Sequence, residues 1–395
     1  MNKEINIALE NAKQFLLKNQ NEEGYWSIIT STESKGPEHL QKPIVLTSQA
    51  IESLIYLQPE DTSQITKGIF YCFKEKLEDT DNIDLLAFKL RALSYSNVPF
   101  IQKKAKQILK TILERQNKEG FWPSFPKSSN LTNYLVVDSI VNYPNKESLK
   151  KISSWLINHK ALDASGWGIN ETSEKSQVSF TANVALTLLN CNEESSNKEI
   201  LNSVKFLESK QMKDGGWPSS DLTYPSESTT YATALTTLVL IKTKEDINNK
   251  IIENGIKFLI DSQLPDGSWP LKKGGSPGEY FTTLDVIKTL SYYNYLKEKL
   301  SDESIKEVLD NSKDKNKVIN YLLREYETNI RNYFLNSTCN NIIEKILATT
   351  PSAIKRRKII LNLLENEGEK DTADIIDGLK RLEGYKGLHK RSHLA

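Results

Sequence analysis

Four polar residues interrupt helical segments that are otherwise apolar: Gln49, Asp138, Asn183 and Asp285. In "SFTANVALTLL" (179–189), Ser179 and Asn183 are four residues apart and share one helical face. With Thr181 as register mark, the places equivalent to Asn183 in the other segments hold Gln49, Asp138, Leu235 and Asp285. The pattern predicts a polar ring facing a common cavity. A carboxyl lining an apolar cavity is desolvated and keeps its proton near neutral pH, as a general acid must. Asp138 and Asp285 are therefore the candidate acids or ligand contacts. Tyr134, Phe180, Tyr231 and Phe281 cluster just before the ring. Their faces would attract a carbocation or a quaternary ammonium group by ~0.5–2 kcal/mol each. The competing reading for both sets is packing within a helical wall.

Other chemistry finds less support. The four histidines, His39, His159, His389 and His393, form no cysteine-paired motif, so no metal and no cofactor are expected. The acidic stretch "EDTDNID" (78–84) resembles a magnesium-diphosphate motif but reads better as a loop and cap ahead of Leu85. Lys272 and Lys273, in the glycine-containing stretch "KKGGSPGEY" (272–280), could meet an anion at helix N-termini, against the plainer reading of a solvated loop.

The elements that must position these residues form a repeat. "FLLKNQNEEGYW", "TILERQNKEGFW", "FLESKQMKDGGW" and "FLIDSQLPDGSW" each run from an amphipathic helix through a glycine to tryptophan. Trp122, Trp167, Trp217 and Trp269 are 45, 50 and 52 residues apart, and Trp26 precedes them by two periods. The segment Ile65–Leu93 keeps the helices of the missing copy without its Gly and Trp. Each unit continues through a polar loop into a second, more apolar helix, and no strand-like alternation is sustained. Six pairs with that asymmetry predict an all-α fold, an α6/α6 toroid over residues 3–297 with the apolar helices inside. In this reading each tryptophan staples neighbouring units after a glycine turn.

An aromatic or aliphatic pair, Gln five residues on, then Gly-x-Trp resembles the QW motif of squalene-hopene and oxidosqualene cyclases. The class II terpene cyclases share it and, more loosely, the β subunits of protein prenyltransferases. The match is good at Phe15/Gln20/Gly24/Trp26, Gln116/Gly120/Trp122, Phe206/Gln211/Gly215/Trp217 and Phe258/Gln263/Gly267/Trp269. It is degraded ahead of Trp167, where Trp155, Lys160 and Ser165 replace the usual residues. The resemblance implies a cation cascade started by the central Asp of a DxDDTA-like motif. The local match is Gln177-Val178-Ser179-Phe180-Thr181-Ala182, which puts Ser179 where that acid would stand. A serine does not protonate an alkene, so a cyclase reading needs a displaced acid.

Two functions follow as expectations. One is a terpene cyclase-like enzyme that binds an isoprenoid or similar apolar molecule among Gln49, Asn183 and the four aromatics, with Asp138 or Asp285 as acid. The other is a non-catalytic toroid that binds a small molecule or peptide as an accessory protein. A carbohydrate-active enzyme would need two facing carboxylates, which only Asp138 and Asp285 offer.

Beyond the repeat, residues 300–395 read as a helical extension. Tyr321, Leu322, Ile330 and Tyr333 are available for packing in 317–337, and further helices are expected at 351–367 and 372–385. Its basic tail raises peripheral membrane contact, and its helices a homodimer or partner-protein interface. A formal net charge of +1 argues against a nucleic-acid partner. Three scattered cysteines, a charged N-terminus and no run of ~18 apolar residues make a cytoplasmic location the expectation.

Overall fold

The computed structural model describes residues 1–27, 38–77, 82–124, 128–191, 197–218, 227–244, 246–312 and 315–338. Cys339, His389, His393, residues 78–81, the helices expected at 351–367 and 372–385, and the side chain of Tyr333 lie outside the described residues.

Helices alternate between two layers. The outer layer comprises α1 (Asn2–Lys18), α3 (Ser63–Lys74), α5 (Pro99–Glu114), α7 (Lys146–Asn158), α9 (Lys198–Ser209) and α11 (Lys250–Asp261). The inner layer comprises α2 (Pro43–Leu57), α4 (Ile83–Ser94), α6 (Asn130–Ile140), α8 (Val178–Asn190), α10 (Thr230–Thr243) and α12 (Tyr280–Lys299). Each outer helix buries one stripe, as Ile252, Ile256 and Leu259 do on α11. The inner helices are packed on nearly all sides; every residue of α4 is buried. Each inner helix touches the next, and α12 touches α2, so the inner wall is a closed ring. Near the join, Asn294 donates to Asn6 at 3.1 Å.

The repeated Gln, Gly and Trp each have a bond to make. Every indole N–H of the five repeat tryptophans donates to a carbonyl in its own outer helix: Leu16, Ile112, Leu156, Leu207 and Leu259, all at 2.6–2.8 Å. Each of these last-turn carbonyls also accepts the backbone N–H of its helix's C-cap residue at 3.0–3.3 Å, so the indole is its second donor. The rings reach the next unit, where Gly68 and Gly255 make room for Trp26 and Trp217. Each glutamine side chain bridges its own glycine carbonyl and the following outer helix. The last of them, Gln263, donates to Ala8 at 2.7 Å and so joins unit six to unit one. Gly267 adopts φ +92°, and a Cβ there would lie 2.2 Å from the Asn11 carbonyl oxygen, so no side chain fits at the closure.

The degraded copies use substitutes. Where the second unit lacks tryptophan, Lys89 of α4 reaches the free carbonyls of Phe73 and Glu75 at the end of α3. Burial pulls the Lys89 ammonium down to about 8. Lys160, standing for glutamine, pairs with Glu199 of the next unit.

After the ring come α13 (Glu303–Asn311) and α14 (Lys315–Thr338). Helix α14 packs across the C-terminal end of the inner wall, on α10, α12 and α2. Its buried residues include Leu322 and Ile330, as expected, but Tyr321 is 68% exposed and faces away. Glu327 of α14 accepts from Lys242 at 2.7 Å and from Tyr292, and Arg331 donates to the Ser94 carbonyl at 3.4 Å. No helix among the described residues is long and apolar enough to cross a membrane.

Candidate active site in the toroid lumen

The backbone N–H of each repeat tryptophan fixes the register of the inner helices. It donates to Thr47, Asn133, Thr181, Thr233 or Thr283, at 3.0–3.1 Å. Two residues beyond these marks stand Gln49, Leu135, Asn183, Leu235 and Asp285. The ring position on α6 is therefore Leu135, and Asp138 lies one turn deeper. An amide oxygen, Asn133, replaces the threonine hydroxyl in that unit, so a register carried over from threonine slides by three residues.

Asp285 occupies the ring with its side chain 5% exposed. Among the described residues its carboxylate has no hydrogen-bond or ion-pair partner. Burial pushes its pKa up to about 7; Lys288 and Arg91 oppose that rise, and Glu52 adds to it. Tyr134 and Tyr231 both feel its charge, and burial raises both phenols, Tyr134 to about 12. Tyr231 stacks obliquely on Phe281 at 5.1 Å and meets the Asn183 amide at 3.4 Å. The structure thus brings Asp285, Tyr134, Tyr231, Asn183 and Phe281 together. Gln49 stands level with Asp285 on the adjacent α2, buried, with neither amide atom hydrogen-bonded; the Asn183 oxygen is likewise unpaired. Phe180, Tyr231 and Phe281 are half-buried at the inner-helix starts, whereas the ring below them is almost fully enclosed.

One turn deeper lies a set of charges of which the sequence singled out only Asp138. Arg91 pairs with Glu52 at 2.8 Å and donates to Asp138, and Lys288 approaches Glu52 at 3.4 Å and Asp138 at 3.7 Å. Asn190 donates to the other Asp138 oxygen at 3.3 Å. Helices α6 and α12 are opposite members of the ring, so the Asp138–Lys288 contact crosses the lumen. Two acids and two bases balance there, as buried charges must. Asp138 is thus an ion-paired carboxylate, unlike Asp285. The available signal was a charge inside each very apolar helix: Glu52, Arg91, Asp138 and Lys288, each five residues beyond a tryptophan-bound mark or its equivalent on α4.

The remaining candidates have other partners. Lys272 pairs with Glu227 at 3.0 Å and Lys273 with Asp261 at 3.6 Å, so both compete poorly for an anion. Asn82 caps α4, as the loop reading of 78–84 expected, and Asp84 accepts from or pairs with His39 at 3.0 Å. His159 stacks on Trp155 at 4.7 Å. Among the described residues, no three of His, Cys, Asp and Glu gather as a metal site.

Residues 176–297, covering α8 to α12, match the squalene-hopene cyclase C-terminal domain family. The fold is similar to the type II terpene cyclase MstE from Scytonema in its apo form, with 14% identity and a TM-score of 0.55. That likeness covers 73% of this chain and 98% of the other. A variant of the same cyclase, solved with geranylgeranyl dihydroxybenzoate as substrate, gives 14% identity, a TM-score of 0.56 and coverage of 74% and 98%. A polysaccharide lyase shares the fold at 12% identity and a TM-score of 0.53, covering 75% of this chain and 98% of that one. No curated protein sequence matches the chain. At such identities the shared property is the fold: a terpene cyclase-like α/α toroid.

Proposed function

We propose that this terpene cyclase-like toroid binds an isoprenoid, or a similarly apolar small molecule, in its lumen and starts its cyclisation by proton transfer from Asp285. The observation that carries the reading is the Asp285 carboxyl, buried, without a partner among the described residues, raised to about 7 and close enough to Tyr134 and Tyr231 to couple with both phenols. At neutral pH a substantial fraction of it holds a proton. In the first step the Asp285 O–H bond breaks and its proton forms a C–H bond at one alkene carbon. The cation is left on the neighbouring carbon, and the electron pair of the next alkene closes the ring. The carboxylate left behind is stabilised by Arg91 and Lys288 beneath it, whose charges already oppose the rise of its pKa. Tyr134, Tyr231 and Phe281 offer π faces to the cation. Loss of a proton from a carbon beside the final cation restores an alkene, and returning that proton to Asp285 resets the site.

Substrate- and product-bound forms of the structurally similar cyclase support an apolar isoprenoid as ligand class. Asp138 enters as a positioning residue, since it holds Arg91 rather than presenting a proton. The same pairing weighs against carbohydrate chemistry by two facing carboxylates.

A second reading, a ligand-binding toroid without catalysis, is favoured by one observation: Ser179 stands where the family's acid would be. The two are separated by incubating the protein with geraniol, farnesol and geranylgeraniol and analysing products by gas chromatography–mass spectrometry. Cyclic product from the native protein and none from Asp285→Asn supports the enzyme. Retention of a prenyl alcohol without any product supports the binding protein.

A further inference from the structure

The charged set below Asp285 does more than hold Arg91. We propose that Glu52, Arg91, Asp138 and Lys288 form a floor across the lumen that limits the chamber to short apolar ligands. The proposal rests on the lumen being the ligand site. Asp138 on α6 and Lys288 on α12 project from opposite sides of the ring and meet at 3.7 Å. Arg91 and Glu52 fill the sector between them from α4 and α2, and Asn190 closes on Asp138 from α8. An apolar chain cannot pass between these groups without separating buried ion pairs, which would leave charges uncompensated.

The depth follows from the helices. Arg91, Asp138 and Lys288 each lie nine residues past the N-cap of their helix, at Asn82, Ser129 and Glu279. At about 1.5 Å per residue the floor sits ~13 Å below the mouth. Asp285, three residues above Lys288, is then near the bottom of the chamber. A ligand entering from the inner-helix N-termini would present its far apolar end to the acid. A longer chain would have to fold back against Tyr134 and Tyr231 or leave its end outside.

The test compares binding of geraniol, farnesol and geranylgeraniol by native mass spectrometry to the full chain and to Asp138→Ala/Lys288→Ala. This double variant removes the crossing pair while Arg91 keeps Glu52. The native protein is expected to bind the shortest chain best. The variant should shift by about tenfold or more toward geranylgeraniol, because added methylenes become buried. A folded variant with an unchanged length preference overturns the floor while leaving the lumen reading intact. No binding of any chain by either protein overturns both.

A second experiment needs no variant. Farnesol carrying a diazirine at its terminal isoprene unit is photolysed in the native protein, and the labelled peptides are mapped. Label at the floor segments of α2, α4, α6 or α12 is expected. Label on α14, beyond the floor, contradicts the proposal.

Discussion

Replacing Asp285 by asparagine should change the pH dependence of stability in a direction that follows from its burial. The folded-state pKa is raised to about 7, whereas an unfolded aspartate titrates at about 3.9. Between those values the folded protein holds a proton that the unfolded chain has released. Stability therefore falls as pH rises through this window, and the full penalty is present above the folded pKa. About three units of difference correspond to ~4 kcal/mol, of which the smaller part, ~1–2 kcal/mol, is already felt at pH 5. Asparagine is nearly isosteric and does not titrate. Asp285→Asn should thus gain stability relative to the native protein, and the gain should be ~3 kcal/mol larger at pH 8.5 than at pH 5. Urea denaturation followed by far-ultraviolet circular dichroism at the two pH values measures the difference. A gain equal at both would mean that Asp285 is ionised in the fold at both, and the argument for it as a proton donor would fail.

Trp217→Ala removes a fully buried ring and the bond from its indole to Leu207, and should cost ~3–5 kcal/mol in chemical denaturation. Gln263→Ala deletes the side chain whose amide bridges the Gly267 carbonyl to Ala8 of unit one; a loss of ~1–2 kcal/mol is expected. If Gln263→Ala is silent in the same assay, the join is held by other contacts. Ser179→Ala should leave any turnover of a prenyl alcohol intact, because the proton comes from α12 rather than α8; loss of product in the chromatographic assay would return the acid position to α8. Turnover should also survive dialysis against EDTA, and a fall in rate that zinc or magnesium restores would contradict a metal-free reaction.

The ring was legible because its repeat is physical. Each Gly-x-Trp seats an indole on a last-turn carbonyl of its own outer helix, and the same bond recurs in five of the six units, so the signal recurs in the sequence. Asp285 was legible for a related reason: Thr283 binds the Trp269 backbone and fixes the depth of its neighbour. Asp138 was misplaced because α6 uses Asn133 for the same bond, and a one-turn error moved an ion-paired residue into the ring. Glu52, Arg91 and Lys288 were missed because their role depends on helices far apart in sequence. Nothing in "IESLIYL" or "DVIKTL" alone shows that Glu52 and Lys288 will meet across the α2–α12 join. Lys89 illustrates the same limit: a buried lysine stands in for an indole, and only its contact with the end of α3 reveals it.

The account stands or falls on whether the Asp285 proton reaches carbon. Prenyl alcohols incubated with the native protein in deuterium oxide should give a cyclic product carrying one deuterium at the carbon first protonated, since the Asp285 carboxyl exchanges with solvent before transfer. Asp285→Asn should retain the prenyl alcohol by native mass spectrometry and form no deuterated product. Equal deuterated product from Asp285→Asn, or a cyclic product free of deuterium, would contradict the account.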